Sequence, residues 1–211
     1  MSCLSRLLHT RTAYPRRRVI RTLCSGALLL LGVQGDLAAQ SAPTAAGPSL
    51  VILVRHGEKA LEPAADPNLS PAGQERAKAL LDALQHVQPS AIIVSATRRT
   101  GETAALLAAK SGVTPQVVSL TGGGATHVNA VADAVRRQHG VVVVVGHSNT
   151  VPAIVKALGG PALPDLCDSS YAYLFLLQPG KDGKPATLVR AQYGAVDPAV
   201  ATGCPAMHPP R

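Results

Sequence analysis

The sequence predicts an α/β fold: a three-layer α/β/α sandwich in which helices cover both faces of a mainly parallel central sheet. Three observations point there. Short apolar runs at Leu50–Val54, Ala91–Val94 and Val141–Val145 read as strands buried on both faces. Stretches with apolar residues at helical spacing separate them, which is the alternation that builds parallel sheets. Residues foreign to a core follow the runs directly: Arg55-His56, Ser95 to Arg99, and Gly146-His147. The carboxyl ends of strands are where such sheets place their sites.

The elements follow in order. Residues 40–49 form a flexible lead-in, rich in Ala, Pro, Ser and Gly. The first strand lies between Pro48 and Gly57, and a polar loop runs on to Leu69. Ser70-Pro71 supplies an N-cap and a proline for the first helical position. Ala77, Leu80, Leu81 and Leu84 then recur at helical spacing, in a helix that ends before Pro89. After the second strand a helix spans about Arg98 to Ser111, closed by Gly112. Gln116–Val118 is a shorter strand. Gly122–Gly124 reads as a turn before a helix from about Thr126 to His139. The run Val141–Val145, all β-branched, is the strongest strand signal. A helix after Asn149 carries Ile154, Val155 and Leu158 and stops at Gly159-Gly160. Tyr171–Leu177 and Ala186–Val189 close the fold as a hairpin around Gly180–Gly183. Tyr171, Tyr173 and Phe175 alternate along the first of these strands and are read as packing residues.

At 211 residues the chain fits one domain, residues 50–195, preceded by a leader and followed by a tail over 196–211. It is 46% hydrophobic and 15% charged but only 2% aromatic, so the core must come from Val, Leu, Ile and Ala. The net charge of +8 is concentrated at the start. Six arginines against Asp36 give residues 1–39 a charge of +5, leaving +3 for the rest. That remainder has neither the basic stripe nor the interleaved aromatics of a nucleic-acid binder.

Residues 1–39 read as a signal peptide. Arg16-Arg17-Arg18 and Arg21 precede the apolar run Leu23–Val33, and Leu37-Ala38-Ala39 offers small residues for cleavage. The apolar run is too short to span a bilayer, which takes about 20 residues. The expectation is an exported protein, periplasmic or secreted, with no stable membrane anchor after cleavage. The arginines do not decide between the general and the twin-arginine route. Two cysteines then remain, Cys167 and Cys204, and an oxidising compartment favours a disulfide between them.

The chemistry starts at His56. A phosphoryl group is a compact dianion, and guanidinium forks suit its oxygens. Two arginines and two histidines at one sheet edge therefore make a phosphate cradle. Neighbouring positive charge would hold His56 neutral and keep a lone pair for attack. Its other ring nitrogen needs an acceptor to fix the tautomer, and a backbone carbonyl near Gly57 is the candidate.

Val54-Arg55-His56-Gly57-Glu58 resembles the Arg-His-Gly signature of the histidine phosphatase superfamily, which includes the cofactor-dependent phosphoglycerate mutases. Ser95-Ala96-Thr97-Arg98-Arg99-Thr100-Gly101-Glu102-Thr103-Ala104 is similar to its Ser-Pro-Leu-x-Arg-Ala-x-Gln-Thr-Ala segment, and Val145-Gly146-His147-Ser148 to its Gly-His-Gly or Gly-His-Ser element. The likeness runs from about Leu50 to Leu177. It implies a phosphoglycerate mutase-like fold and a phosphohistidine on His56. Arg55, Arg99 and His147 would then hold the phosphoryl group, with Ser148 beside it. It implies no cofactor and no metal, and the sequence offers no clear metal-ligand cluster. The expected partner is a small phosphorylated substrate. Little is inserted between the motifs, which favours hydrolysis over mutase chemistry.

The chain departs from the pattern at two places. Ser95-Ala96-Thr97 replaces Ser-Pro-Leu. Many members also carry an acid after the second helix to protonate the leaving oxygen, whereas no Asp or Glu stands between Glu102 and Asp133. Glu58, Glu62, Asp66 and His127 are the substitutes. Glu58, nearest in sequence, is preferred as the catalytic acid, against a plain role as an exposed partner of Lys59.

Two rival functions follow from the same residues. Without the acid, the pocket could bind phosphorylated ligands and not turn them over. Alternatively, Gly146-His147-Ser148-Asn149-Thr150 is similar to the nucleophile elbow of α/β-hydrolases. Ser148 would then attack, with Asp165, Asp168, Asp182 or Asp197 and finally His208 completing a triad. That reading leaves Arg55, His56 and Arg99 without a task.

Overall fold

The computed structural model describes residues 47–181 and 183–198. The expected signal peptide, Asp182, Cys204 and His208 lie outside them. Six strands form one sheet: β1 Leu50–Arg55, β2 Ala91–Ser95, β3 Gln116–Val118, β4 Val141–Gly146, β5 Tyr173–Gln178 and β6 Thr187–Gln192. Their order is β3-β2-β4-β1-β5-β6. The first four are mutually parallel, while β5 runs antiparallel to β1 and β6 antiparallel to β5. The fold is thus the mainly parallel sandwich that the alternating pattern predicts.

Four helices supply the outer layers: α1 Pro71–Ala83, α2 Arg98–Ser111, α3 Gly123–Arg136 and α4 Thr150–Ala157. Strand side chains alternate between faces, and the core divides accordingly. Val51, Leu53, Ile93, Val142 and Val144 pack against Val131 and Val135 of α3 and Ile154 and Val155 of α4. Ile52, Val54, Ile92, Val94, Val143 and Val145 pack against Leu80 of α1 and Ala104 and Leu107 of α2. Continuous apolar runs were required because both faces are covered. Among the described residues no helix is long and apolar enough to cross a membrane.

Local signals set the helix ends. Ser70 Oγ accepts from the N–H of Gly73 at 3.2 Å and Pro71 opens α1. Gly112, at φ +70°, closes α2 in the left-handed conformation that glycine adopts without penalty. Helix α3 departs from expectation by starting at Gly123, not near Thr126. Gly122 and Gly123, at φ +88° and +85°, complete the turn between them, so Gly124 is free to join the helix. Strand β5 starts at Tyr173, two residues later than predicted. The amides of Tyr171 and Ala172 are bound by the Asp197 carboxylate and not by a neighbouring strand.

Candidate active site

Strands β1 and β4 are parallel neighbours in a register that pairs Arg55 with Gly146. Both histidine-bearing strand ends therefore leave the sheet side by side. The N–H of His56 donates to the carbonyl of Gly146 at 3.0 Å, and the two imidazole rings lie 5.3 Å apart, edge to face.

His56 Nδ1 lies 2.7 Å from the carbonyl of Gly57. A carbonyl only accepts, so Nδ1 carries the proton and Nε2 keeps its lone pair. Burial drives the pKa of His56 down to about 3; the Gly57 hydrogen bond opposes this, and the charges of His147, Arg55 and Arg99 add to it. His56 is neutral at pH 7. It is also only 4% exposed.

His147 has the complementary arrangement. Arg99 Nη2 approaches its Nδ1 at 3.4 Å, and a guanidinium can only donate. Nε2 must then carry the proton, which it directs to Ser95 Oγ at 2.8 Å. Burial first, then the charges of Arg99, His127 and Arg55, lower its pKa to about 4. Ser95 comes from the end of β2 and Arg99 from the first turn of α2, so the second motif contributes at two points.

Arg55 is locked in place. Its Nη1 donates toward the carbonyls of Cys167, Asp168 and Ser170 at 2.7, 3.1 and 3.0 Å, and its guanidinium carbon sits 4.0 Å from the centre of the Tyr171 ring. A cation over an aromatic face is attracted by the ring's quadrupole. The Nε donors of Arg55 and Arg99 are buried with no hydrogen-bond partner. Buried donors are normally satisfied, and one left over costs about 1–3 kcal/mol. Among the described residues three buried polar side-chain atoms lack a partner; the third is the Tyr193 hydroxyl, and the other two belong to the arginines that flank the imidazoles. Among the described residues, no group of three or more His, Cys, Asp or Glu could hold a metal ion.

The remaining sequence candidates are distributed differently. Both oxygens of Glu58 accept from Arg76, at 2.7 to 3.0 Å. This corrects the picture of Glu58 as a free acid or as the partner of Lys59: its carboxylate is committed to a buried guanidinium. Glu62 is exposed and bonds the amide of Ala64. His127 is buried at 1% exposure, with Nδ1 donating to the carbonyl of Ser119. Two carboxylates touch the cluster: Asp66 lies 3.5 Å from Arg99 Nη1 and also accepts from the N–H of Arg98, so capping α2, and Asp168, a triad candidate, lies 3.9 Å from Arg55 Nη2. Ser148 is half-buried next to His147, but both ring nitrogens of His147 face Ser95 and Arg99. Asp197, one of the triad candidates, binds backbone amides instead. Cys167 is disulfide-bonded; Cys204 lies outside the described residues.

Sequence reasoning missed Tyr171 and Arg76. Alternation made Tyr171 a packing residue, yet it precedes β5 and its ring stands 6.2 Å from that of His56. Arg76 did leave a signal. It shares the buried stripe of α1 with Gly73, Ala77 and Leu80, where a charge requires buried partners.

A parallel sheet with an antiparallel edge and paired histidines at adjacent strand ends defines a phosphoglycerate mutase-like domain. Residues 51–120, a span that contains His56 and Arg99, match the model of the histidine phosphatase superfamily (branch 1). Two solved structures share the fold. The protein histidine phosphatase SixA complexed with tungstate is 18% identical, with a TM-score of 0.53 over 68% of this chain and 96% of that one. A mycobacterial glucosyl-3-phosphoglycerate phosphatase with inorganic phosphate is 19% identical, with a TM-score of 0.51 over 67% of this chain and 95% of the other. No curated protein matches the chain.

Proposed function

We propose that this protein is a phosphomonoester hydrolase that works through a phosphohistidine on His56, without a metal, on a small phosphorylated metabolite. The observation that carries the reading is the hydrogen bond from His56 Nδ1 to Gly57. It leaves Nε2 as a neutral nucleophile between two arginines and a second histidine.

In the first step Nε2 attacks phosphorus and the ester P–O bond breaks; the leaving oxygen departs as its anion and takes a proton from water. The Nδ1–H remains on the Gly57 carbonyl, which supports the positive charge that develops on the ring. Arg55 and Arg99 surround the group in transfer and spread its equatorial charge, while His147 orients the Arg99 guanidinium by accepting from it at Nδ1. In the second step water attacks phosphorus, orthophosphate leaves and His56 recovers its lone pair. Since Glu58 is held by Arg76, good leaving groups should react faster than alkoxides unless another group supplies the proton. Export, inferred from residues 1–39, would put the substrate outside the cytoplasm and argues against a phosphorelay protein.

A rapid quench with a labelled aryl phosphate, run in chelator, tests this reading. The expected product is a phosphoenzyme labile in acid and stable in base, mapped to His56 and absent from His56→Ala. Label on Ser148, or turnover with no labelled enzyme, would overturn the mechanism.

A further inference from the structure

Arg76 is only 4% exposed, and it lies in α1 behind the site. Its guanidinium is used almost completely. Nε and Nη2 form a fork on Glu58 at 2.7 to 3.0 Å, and Nη1 donates to the carbonyls of Tyr193 and Ala195, both at 3.1 Å. Nη2 also lies 3.7 Å from Asp197 Oδ1. One cation thus faces two carboxylates, and each carboxylate leads to the site by a separate route.

The first route is short. Glu58 follows Gly57, whose carbonyl fixes the tautomer of His56. The second route passes through Asp197, which accepts from the amides of Tyr171 at 2.8 Å and Ala172 at 3.0 Å. Those bonds place the Tyr171 ring over Arg55 at 4.0 Å and beside His56. Tyr171 stands just ahead of β5, so the ladder does not set its position; Asp197 does.

We infer that Arg76 is a positioning residue for the phosphate site, acting through Asp197 to hold Tyr171 against Arg55 and through Glu58 to hold the loop that carries His56. This rests on the reading of the site as a phosphate pocket. Arg76 itself touches no reacting atom. A lysine could keep the charge but not the planar fork that reaches Glu58, Asp197 and two carbonyls at once.

The test is a binding cycle read with inorganic phosphate by calorimetry, using Arg76→Lys, Tyr171→Ala and the double variant. Arg76→Lys should weaken phosphate binding about tenfold, the equivalent of one hydrogen-bonded contact. In the Tyr171→Ala background it should weaken binding much less, because the ring it positions is gone. A loss of thermal stability alone, with phosphate affinity unchanged or with the two effects fully additive, overturns the proposal. If Arg76→Lys does not fold, Asp197→Asn decides the same question, since it spares the Glu58 pair; an unchanged affinity in that variant also overturns it. A wild-type protein that binds no phosphate removes the pocket reading and the proposal with it. Phosphate binding with no turnover in wild type removes only the catalytic reading and leaves the cycle intact.

Discussion

His147 donates through Nε2 to the hydroxyl of Ser95 at 2.8 Å, tying the end of β4 to the end of β2. Ser95 is 2% exposed and also meets Thr97 and Thr100 through its hydroxyl. This bond decides which nitrogen of His147 faces Arg99. In Ser95→Ala, Nε2–H loses a buried acceptor and the ring is free to flip or change tautomer. The expected outcome is about a tenfold loss in kcat/KM on an aryl phosphate, the effect of one buried hydrogen bond. Ser95→Thr should retain most of the activity if the hydroxyl is what matters.

Two glycines make the opposite prediction from each other. A Cβ on Gly73 would stand 2.2 Å from the carbonyl oxygen of Glu58, with other backbone atoms of that residue near 3 Å. Nothing there can rotate away. Gly73→Ala must push the loop behind His56 off α1, and a loss of at least about 1–3 kcal/mol is expected, with activity falling too. Gly101 lies inside α2 and a Cβ there meets nothing within 4 Å. Gly101→Ala should therefore gain about 0.5–1 kcal/mol from helix propensity alone. Chemical denaturation of both variants checks the pair.

These contrasts mark what could be read in the chain before folding. Strand ends were legible because a doubly buried strand needs an unbroken apolar run, so the polar residue that ends it stands out. Arg55-His56 and Gly146-His147 announce themselves in this way. Helix ends were legible where a single residue has one use, as at Ser70-Pro71 and Gly112. Tyr171 was not legible, because its placement depends on Asp197, twenty-six positions later and outside any periodic element. The commitment of Glu58 to Arg76 was hidden for the same reason. A carboxylate next to a nucleophile looks free until the helix that packs against it is known.

The turn that holds Arg55 also contains the disulfide-bonded Cys167, whose carbonyl accepts from Arg55 Nη1 at 2.7 Å. Stability and substrate binding should therefore respond together to reductant. Cleaving one disulfide typically costs about 2–4 kcal/mol. Reduction is expected to lower the melting temperature and raise KM for an aryl phosphate more than it lowers kcat. Cys167→Ser should reproduce both effects. A lower melting temperature with KM unchanged would separate the bridge from the site. Non-reducing peptide mapping tests the expectation that Cys204 is the partner.

Acid should weaken the fold through the same two imidazoles. His56 and His147 have pKa values pushed down to about 3 and about 4, mainly by burial, while the unfolded chain titrates near the ordinary 6.5. Between these limits the unfolded state binds protons that the folded state does not, so stability rises with pH across the window. The contribution is fully present above about pH 6.5 and is lost as the pH falls through 4 and then 3. Denaturant midpoints should therefore drop between pH 7 and pH 4, and the drop should be shallower in the double variant His56→Gln, His147→Gln. Nitrogen shifts of the imidazoles provide the direct check. Both rings should remain neutral at pH 5.5, with protonation beginning well below that. A ring that titrates near 6.5 would mean its site is wetter and less positively surrounded than the geometry requires.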